Sequence, residues 1–153
     1  MRNRITKTAI AIIKEMRYTN AGTIKFLFKD KFYFMEVNAR IQVEHHITEA
    51  VTGVDIVEEQ LRVALDDGLT IKQENVKSKG HAIECRINSE HPLSFVPSSG
   101  TITKFIVPEI EGIRVDTAMY SGYSIPVFYD SLIAKIISFA NTRLETIEKM
   151  RAR

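Results

Sequence analysis

The sequence predicts an α+β protein built from two unlike pieces. Three observations carry this. Apolar residues recur at helical spacing near the N-terminus and again around residues 57–65. A short hairpin pattern lies between those stretches. From Gly80 onward the residues alternate as they do in strands. The 153 residues suffice for one domain or for two small pieces sharing a core.

Ile5, Ala9, Ile12, Ile13 and Met16 place an amphipathic helix over 4–17, which Thr19-Asn20-Ala21-Gly22 breaks. Strands are expected at Thr23 to Phe28 and from Phe32 to about Glu44, joined by the polar Lys29-Asp30-Lys31. Asp55 and Glu58 form a D-x-x-E start for a second helix: the Asp oxygen accepts from a free backbone N–H and the Glu reaches back. Val57, Leu61, Ala64 and Leu65 are its expected buried stripe and Gly68 its stop.

Residues 70–79 read as a polar connection, dividing a segment 1–69 from a segment 80–153. In the latter, His81, Ile83, Cys85 and Ile87 alternate with Ala82, Glu84, Arg86 and Asn88. Pro97-Ser98-Ser99-Gly100 is a turn before a strand from Thr101 to Val107, and further strands are expected at Ile113 to Asp116 and Leu132 to Ala140. Thr142 and Glu145 are placed to cap a last helix carrying Leu144, Ile147 and Met150.

Composition excludes several functions. Hydrophobic residues make up 44% and charged residues 26%, with a formal charge of +2 and no long basic run, so neither nucleic acid nor an anionic membrane is an expected partner. The single cysteine, Cys85, makes no internal disulfide, which fits a reducing cytoplasm; on the apolar face of its strand it is expected to be a buried thiol. Neither a signal peptide nor a G-x-x-x-x-G-K-[ST] phosphate loop is evident.

The densest polar signal is the run from Phe34 to His45. On a strand, Glu36, Asn38, Arg40, Gln42 and Glu44 line one side. Oxygens of Glu36 and Asn38 suit a hard cation bridging nucleotide phosphates. Arg40 offers a planar fork for a small oxyanion, and Glu44 stands beside it as a base. A solvated strand face whose charges pair with each other would show the same spacing.

The run Glu36-Val37-Asn38-Ala39-Arg40-Ile41-Gln42-Val43-Glu44-His45 resembles the signature of the biotin carboxylases and related biotin-dependent carboxylases. Ala21-Gly22-Thr23-Ile24 and Phe32-Tyr33-Phe34 resemble the strands before it, and Gly80 to Asn88, Pro97 to Gly100 and Tyr129 to Lys135 match later parts in the same order. The resemblance implies the C-terminal part of an ATP-grasp domain followed by a mostly β biotin carboxylase C-terminal domain, both incomplete. It implies an ATP-dependent ligase that activates bicarbonate as carboxyphosphate and carboxylates biotin. By position, Glu36 and Asn38 resemble magnesium or manganese ligands, with Glu36 also at the ATP. Arg40, Gln42 and the backbone of Val43 resemble the bicarbonate site. Glu44 resembles the general base, Arg86 the arginine that contacts bicarbonate and biotin, Leu27 an adenine-pocket residue, and Arg114 a residue near a dimer interface. The implied cofactors are ATP and the metal, with biotin as substrate on a biotin carboxyl carrier protein. The implied context is a cytoplasmic acetyl-CoA carboxylase of fatty acid biosynthesis, or a pyruvate or propionyl-CoA carboxylase.

Three departures stand against the pattern. Lys25 occupies a position where the family has a metal-binding glutamate; an ammonium repels a cation, and it is placed to pair with Glu36. His46 stands where the family usually has proline, which relaxes the turn beside Glu44. His45 and His46, adjacent on a strand, are expected to point to opposite faces, which disfavours a shared metal ion. The N-terminal ATP-binding part of the family is not represented, so the chain alone is expected to be inactive. Three roles remain open: one part of a split carboxylase that joins an N-terminal half, a non-catalytic remnant, or a module that docks onto an intact carboxylase.

Overall fold

The computed structural model describes residues 1–107 and 109–151. The chain forms two compact units. One contains Met1–His45 and Gly53–Val76; the other gathers His46–Thr52 and the chain from Lys77 onward.

In the first unit, α1 (Arg2–Glu15) half-buries Ile5, Ala9, Ile12 and Ile13, as their spacing requires. It ends where Arg17 and Asn20 take positive φ. Strands β1 (Thr23–Phe28) and β2 (Phe32–Asn38) pair antiparallel. Strand β2 stops well short of Glu44: residues 39–44 are irregular, and the His45 backbone N–H donates to the Gln42 carbonyl at 3.1 Å as helix α2 (His45–Thr52) begins. The alternation expected beyond Asn38 therefore fails, and the two histidines open a helix instead of ending a strand. Ile47, Ala50 and Val51 carry its apolar spacing, but eight residues are too few for periodicity to announce it.

Helix α3 (Ile56–Ala64) is capped by Asp55, whose Oδ1 accepts from the Glu58 N–H at 2.8 Å. Glu58 does not complete the expected box with its carboxylate, which reaches forward to Arg62 at 2.8 Å. The expected stripe is also reversed. Val57, Leu61 and Leu65 are exposed, while Glu59 is buried and accepts from the Thr70 N–H at 3.0 Å and from the Thr70 hydroxyl. Periodicity locates an apolar stripe; it does not say which side of a helix is covered.

The second unit is organised by a three-stranded antiparallel sheet. Strand β7 (Leu132–Ala140) lies between β3 (His81–Asn88) and β5 (Ile113–Asp116). A separate short ladder joins β4 (Gly100–Thr101) to β6 (Ser124–Ile125). Beyond Thr101 the chain leaves the ladder, so the longer strand expected to Val107 is not formed. Gly80 opens β3 with φ +63°, and a Cβ there would meet the Ala140 carbonyl at 2.4 Å, so only glycine fits.

Helix α4 (Arg143–Arg151) packs on β7 and β3. Thr142 and Glu145 cap it reciprocally: Thr142 N–H donates to Glu145 Oε2 at 3.0 Å, and Glu145 N–H to Thr142 Oγ1 at 3.2 Å. The fully buried Ser138 and Thr146 join helix to sheet, with the Ser138 hydroxyl donating to the Thr146 carbonyl and the Thr146 hydroxyl to the His81 carbonyl, each at 3.1 Å. Leu144, expected on the buried side, is exposed. Cys85 is only half-buried, because it lies towards one edge of the sheet.

Thr142→Ala should lower stability by about 1 kcal/mol through loss of the cap. Urea unfolding followed by circular dichroism measures this, and an unchanged midpoint would show that the cap does not hold α4.

Candidate functional site

The hairpin of the first unit carries the Glu36–Asn38 pair. Its register runs Phe28↔Phe32, Leu27↔Tyr33 and Phe26↔Phe34, then jumps to Lys25↔Glu36 and Thr23↔Asn38. Met35 is the extra residue of a β-bulge. The jump has a chemical consequence. Phe32, Phe34, Glu36 and Asn38 share parity, and a regular strand would put all four on one face. The bulge separates them. Phe26 contacts Phe32 and Phe34 edge-on, and Phe28 contacts Phe32, on one face. Lys25, Leu27, Glu36 and Asn38 take the other.

On that face Lys25 Nζ stands 2.9 Å from Glu36 Oε1, and the Asn38 amide donates to the same oxygen at 2.9 Å. Lys25, then Asn38, then the charge of Lys25, and last that of Arg40, hold the Glu36 carboxyl below its ordinary value. In this arrangement the set does not fit a divalent cation. The carboxylate oxygen is engaged by a full positive charge, and Asn38 turns its donor end inward. Leu27 is exposed beside the pair.

Arg40 lies in the irregular segment, exposed, and donates to the Ile41 carbonyl at 3.0 Å. Gln42 and Val43 are half-buried and Glu44 exposed. The Gln42 carbonyl lies 2.8 Å from His45 Nδ1. The structure thus brings Lys25, Glu36, Asn38 and Arg40 together electrostatically, and sets Gln42, Val43 and Glu44 in the loop that leads into α2.

Arg86 belongs to the second unit. It lies on β3 with half of its side chain exposed, 3.8 Å from Glu84 Oε1. The register places Arg86, Lys135 and Asp116 in one row across three strands, and Glu84, Ile137 and Arg114 in the next. All six share a face. Arg114 forks onto Asp116 at 2.8 and 2.7 Å and reaches Glu49 of α2 at 2.9 Å. His46, 3% exposed, approaches Asp116 Oδ2 at 2.5 Å and Glu84 Oε2 at 3.4 Å, with Lys135 Nζ 3.3 Å from both ring nitrogens. Burial is the largest single influence on the Asp116 carboxyl and raises it; the Arg114 fork together with the charges of Arg114, His46 and Lys135 outweighs burial, and the carboxyl sits below its ordinary value. Sequence reasoning singled out Arg86 and Arg114 but missed Glu84 and Asp116 as their partners. Each stands two residues away on the same strand, so the alternation of β3 and β5 carried the signal; the approach of Glu49 and His46 to this face did not show in it.

Residues 84–153 match the family model described as biotin carboxylase C-terminal domain, and residues 1–72 match that of carbamoyl-phosphate synthase L chain, ATP binding domain. Biotin carboxylase 1 of Bacillus subtilis is 48% identical over 99% of this chain. Over nearly its whole length the chain is similar to the biotin carboxylases. The biotin carboxylase of Pseudomonas aeruginosa is 51% identical over 90% of the chain. The biotin carboxylase domain dimer of Hydrogenobacter thermophilus 2-oxoglutarate carboxylase, solved with MgADP, ADP and bicarbonate, superposes with a TM-score of 0.92 at 44% identity over 99% of this chain. The chain spans about a third of the length of these relatives: 34%, 31% and 34%. The α+β architecture expected of the family, ATP-grasp portion followed by C-terminal domain portion, is the one found.

The Glu36 carboxyl generates a prediction. Because it is held down in the folded chain, its ion pair contributes above the ordinary glutamate pKa, and the contribution is lost as pH falls through the lowered folded value. A carboxyl NMR titration should place Glu36 below an ordinary glutamate, and Lys25→Met should move it upward. An unchanged midpoint in the variant would contradict Lys25 as the main cause.

Proposed function

We propose that this chain supplies the anion-binding and base residues of a biotin carboxylase and does not turn over alone. The observation that carries this is the match of nearly the whole chain, at about half identity, to a biotin carboxylase; Arg40, Gln42, Val43, Glu44 and Arg86 lie in the stretches that resemble the family signature. In this reading Arg40, with Gln42 and the Val43 backbone, binds bicarbonate. Glu44 takes the bicarbonate proton as a bicarbonate oxygen attacks the γ-phosphate of ATP and displaces ADP, giving carboxyphosphate. Carboxyphosphate breaks down to carbon dioxide and phosphate, the phosphate takes the N1′ proton of biotin on a carrier protein, and N1′ bonds the carbon dioxide while Arg86 neutralises the negative charge that develops on the ureido oxygen. Leu27 contacts the adenine; Glu36 and Asn38, engaged with Lys25 and with each other, are given no metal role in this arrangement. The boundaries are 1–69 for the ATP-grasp portion, 70–79 for the connection and 80–153 for the C-terminal domain. The reaction takes place in the cytoplasm; among the described residues no helix is long and apolar enough to cross a membrane.

The partner that completes the site is the N-terminal ATP-grasp part of the family. Exposed Leu27, Phe28, Tyr33, Phe34 and Met35 on the hairpin, and Val57, Leu61 and Leu65 on α3, offer apolar surface to it. Homodimerisation through the region of Arg114 belongs to the same reading; the relative from Hydrogenobacter thermophilus is described as a dimer. A second reading, a non-catalytic remnant or docking module, is favoured by one observation: Lys25 occupies the Glu36 oxygen that a metal would need.

One reconstitution separates the two. The purified chain alone should show no biotin- and bicarbonate-dependent phosphate release. Mixed with the N-terminal part of a related carboxylase, Lys25→Glu should bind nucleotide in a magnesium-dependent way and the unaltered chain should bind it more weakly. Equal magnesium affinity in the two mixtures would sink the role given to Lys25. Turnover by the isolated chain would overturn the first claim.

A further inference from the structure

The histidine at position 46 is placed as no proline could be. A neutral imidazole has one N–H; a protonated one has two. Nε2 lies 2.5 Å from Asp116 Oδ2, so it carries the proton of the neutral ring. Nδ1 then carries only a lone pair, and Lys135 Nζ, 3.3 Å from both ring nitrogens, lies against the ring and not on that lone pair. In that state Glu84 Oε2, 3.4 Å from Nδ1, is left as a buried oxygen with no hydrogen-bond donor among the described residues. A second proton on the ring reverses the arrangement. Nδ1–H donates to Glu84 Oε2, and the ring repels the Lys135 ammonium. A cavity of about 340 Å³ borders His46, Asp116 and Lys135 and gives Lys135 room to withdraw and water a route to the ring.

Glu84 is the link to chemistry. Its carboxylate is 5% exposed, and its other oxygen stands 3.8 Å from Arg86 Nε. Drawing Oε2 onto His46 re-aims Oε1 at Arg86. We propose that His46 is a positioning residue for Arg86, acting through Glu84 according to the protonation of its ring. The titratable and charged groups around the ring include Asp116 and, behind it, Arg114 from β5; Glu84 from β3; Lys135 from β7; and His45 and Glu49 of α2. The consequence for carboxylation rests on the role given above to Arg86; the coupling itself does not.

The test follows both groups spectroscopically in the isotope-labelled chain. The Arg86 Nε–Hε signal, assigned by its loss in Arg86→Lys, and the His46 ring nitrogens are recorded from about pH 5 to 8, where histidine titrates. The expected result is one shared midpoint, with the Arg86 movement lost in His46→Gln. In Glu84→Gln the His46 titration should persist while Arg86 no longer follows it. A stationary Arg86 signal, a His46 ring that keeps one protonation state throughout, or an Arg86 movement surviving in Glu84→Gln would overturn the proposal. The unaltered chain and Glu84→Gln decide it even if His46→Gln does not fold. No turnover enters the measurement, so a failed carboxylase assay and a failed coupling are separate results.

Discussion

Strand β7 has neighbours on both edges and buried residues on both faces, and the second unit takes its form from that constraint. Ala134, Ser138 and Ala140 are buried on the side that includes α4, and Ile137 on the side that includes the charged rows. Small residues on the α4 side let the helix approach closely. On the other side a lysine, Lys135, sits in the middle of the sheet. A charge there is tolerable only if its neighbours satisfy it. Asp116 lies opposite it and His46 contacts it, and the contacts of His46 with Asp116 and of Glu49 with Arg114 tie α2 to strands far from it in sequence.

The two charge clusters of the chain have different physics. The Lys25–Glu36 pair is half-exposed and contributes little to stability. Its weight is chemical, since it decides what the Glu36 oxygen is available for. The cluster around His46 is largely buried, where an unpaired member would cost far more than the pair returns. Changes in the first cluster redistribute exposed charge; changes in the second fall on groups that hold the sheet and α2 together.

Much of this was legible in the sequence. Strands β1, β5 and β7 lie where alternation and turn residues put them, and the Asp55 and Thr142 caps form as their spacing implies. What failed had local causes. Helix α2 was hidden because Gln42 to His46 continues an apparent alternation and the helix is only eight residues long. The covered side of α3 was misjudged because amphipathicity says nothing about which neighbour is present. The types of residue in the candidate site were readable from the run after Phe34, and the Lys25–Glu36 contact from charge alone. The approach of His46 and Glu49 to the charged face of the sheet was not, since it depends on how a helix and strands far apart in the chain come together.

The bulge at Met35 makes the hairpin sensitive to counting. The motif works only because one residue is skipped between the aromatic pair and the acid-amide pair. Loss of that single residue would leave every functional group in the chain and in its proper order. It would nevertheless turn Glu36 and Asn38 onto the phenylalanine side, or drive the rings to the polar side. For this hairpin the length of the strand is as much a part of the chemistry as the side chains it carries.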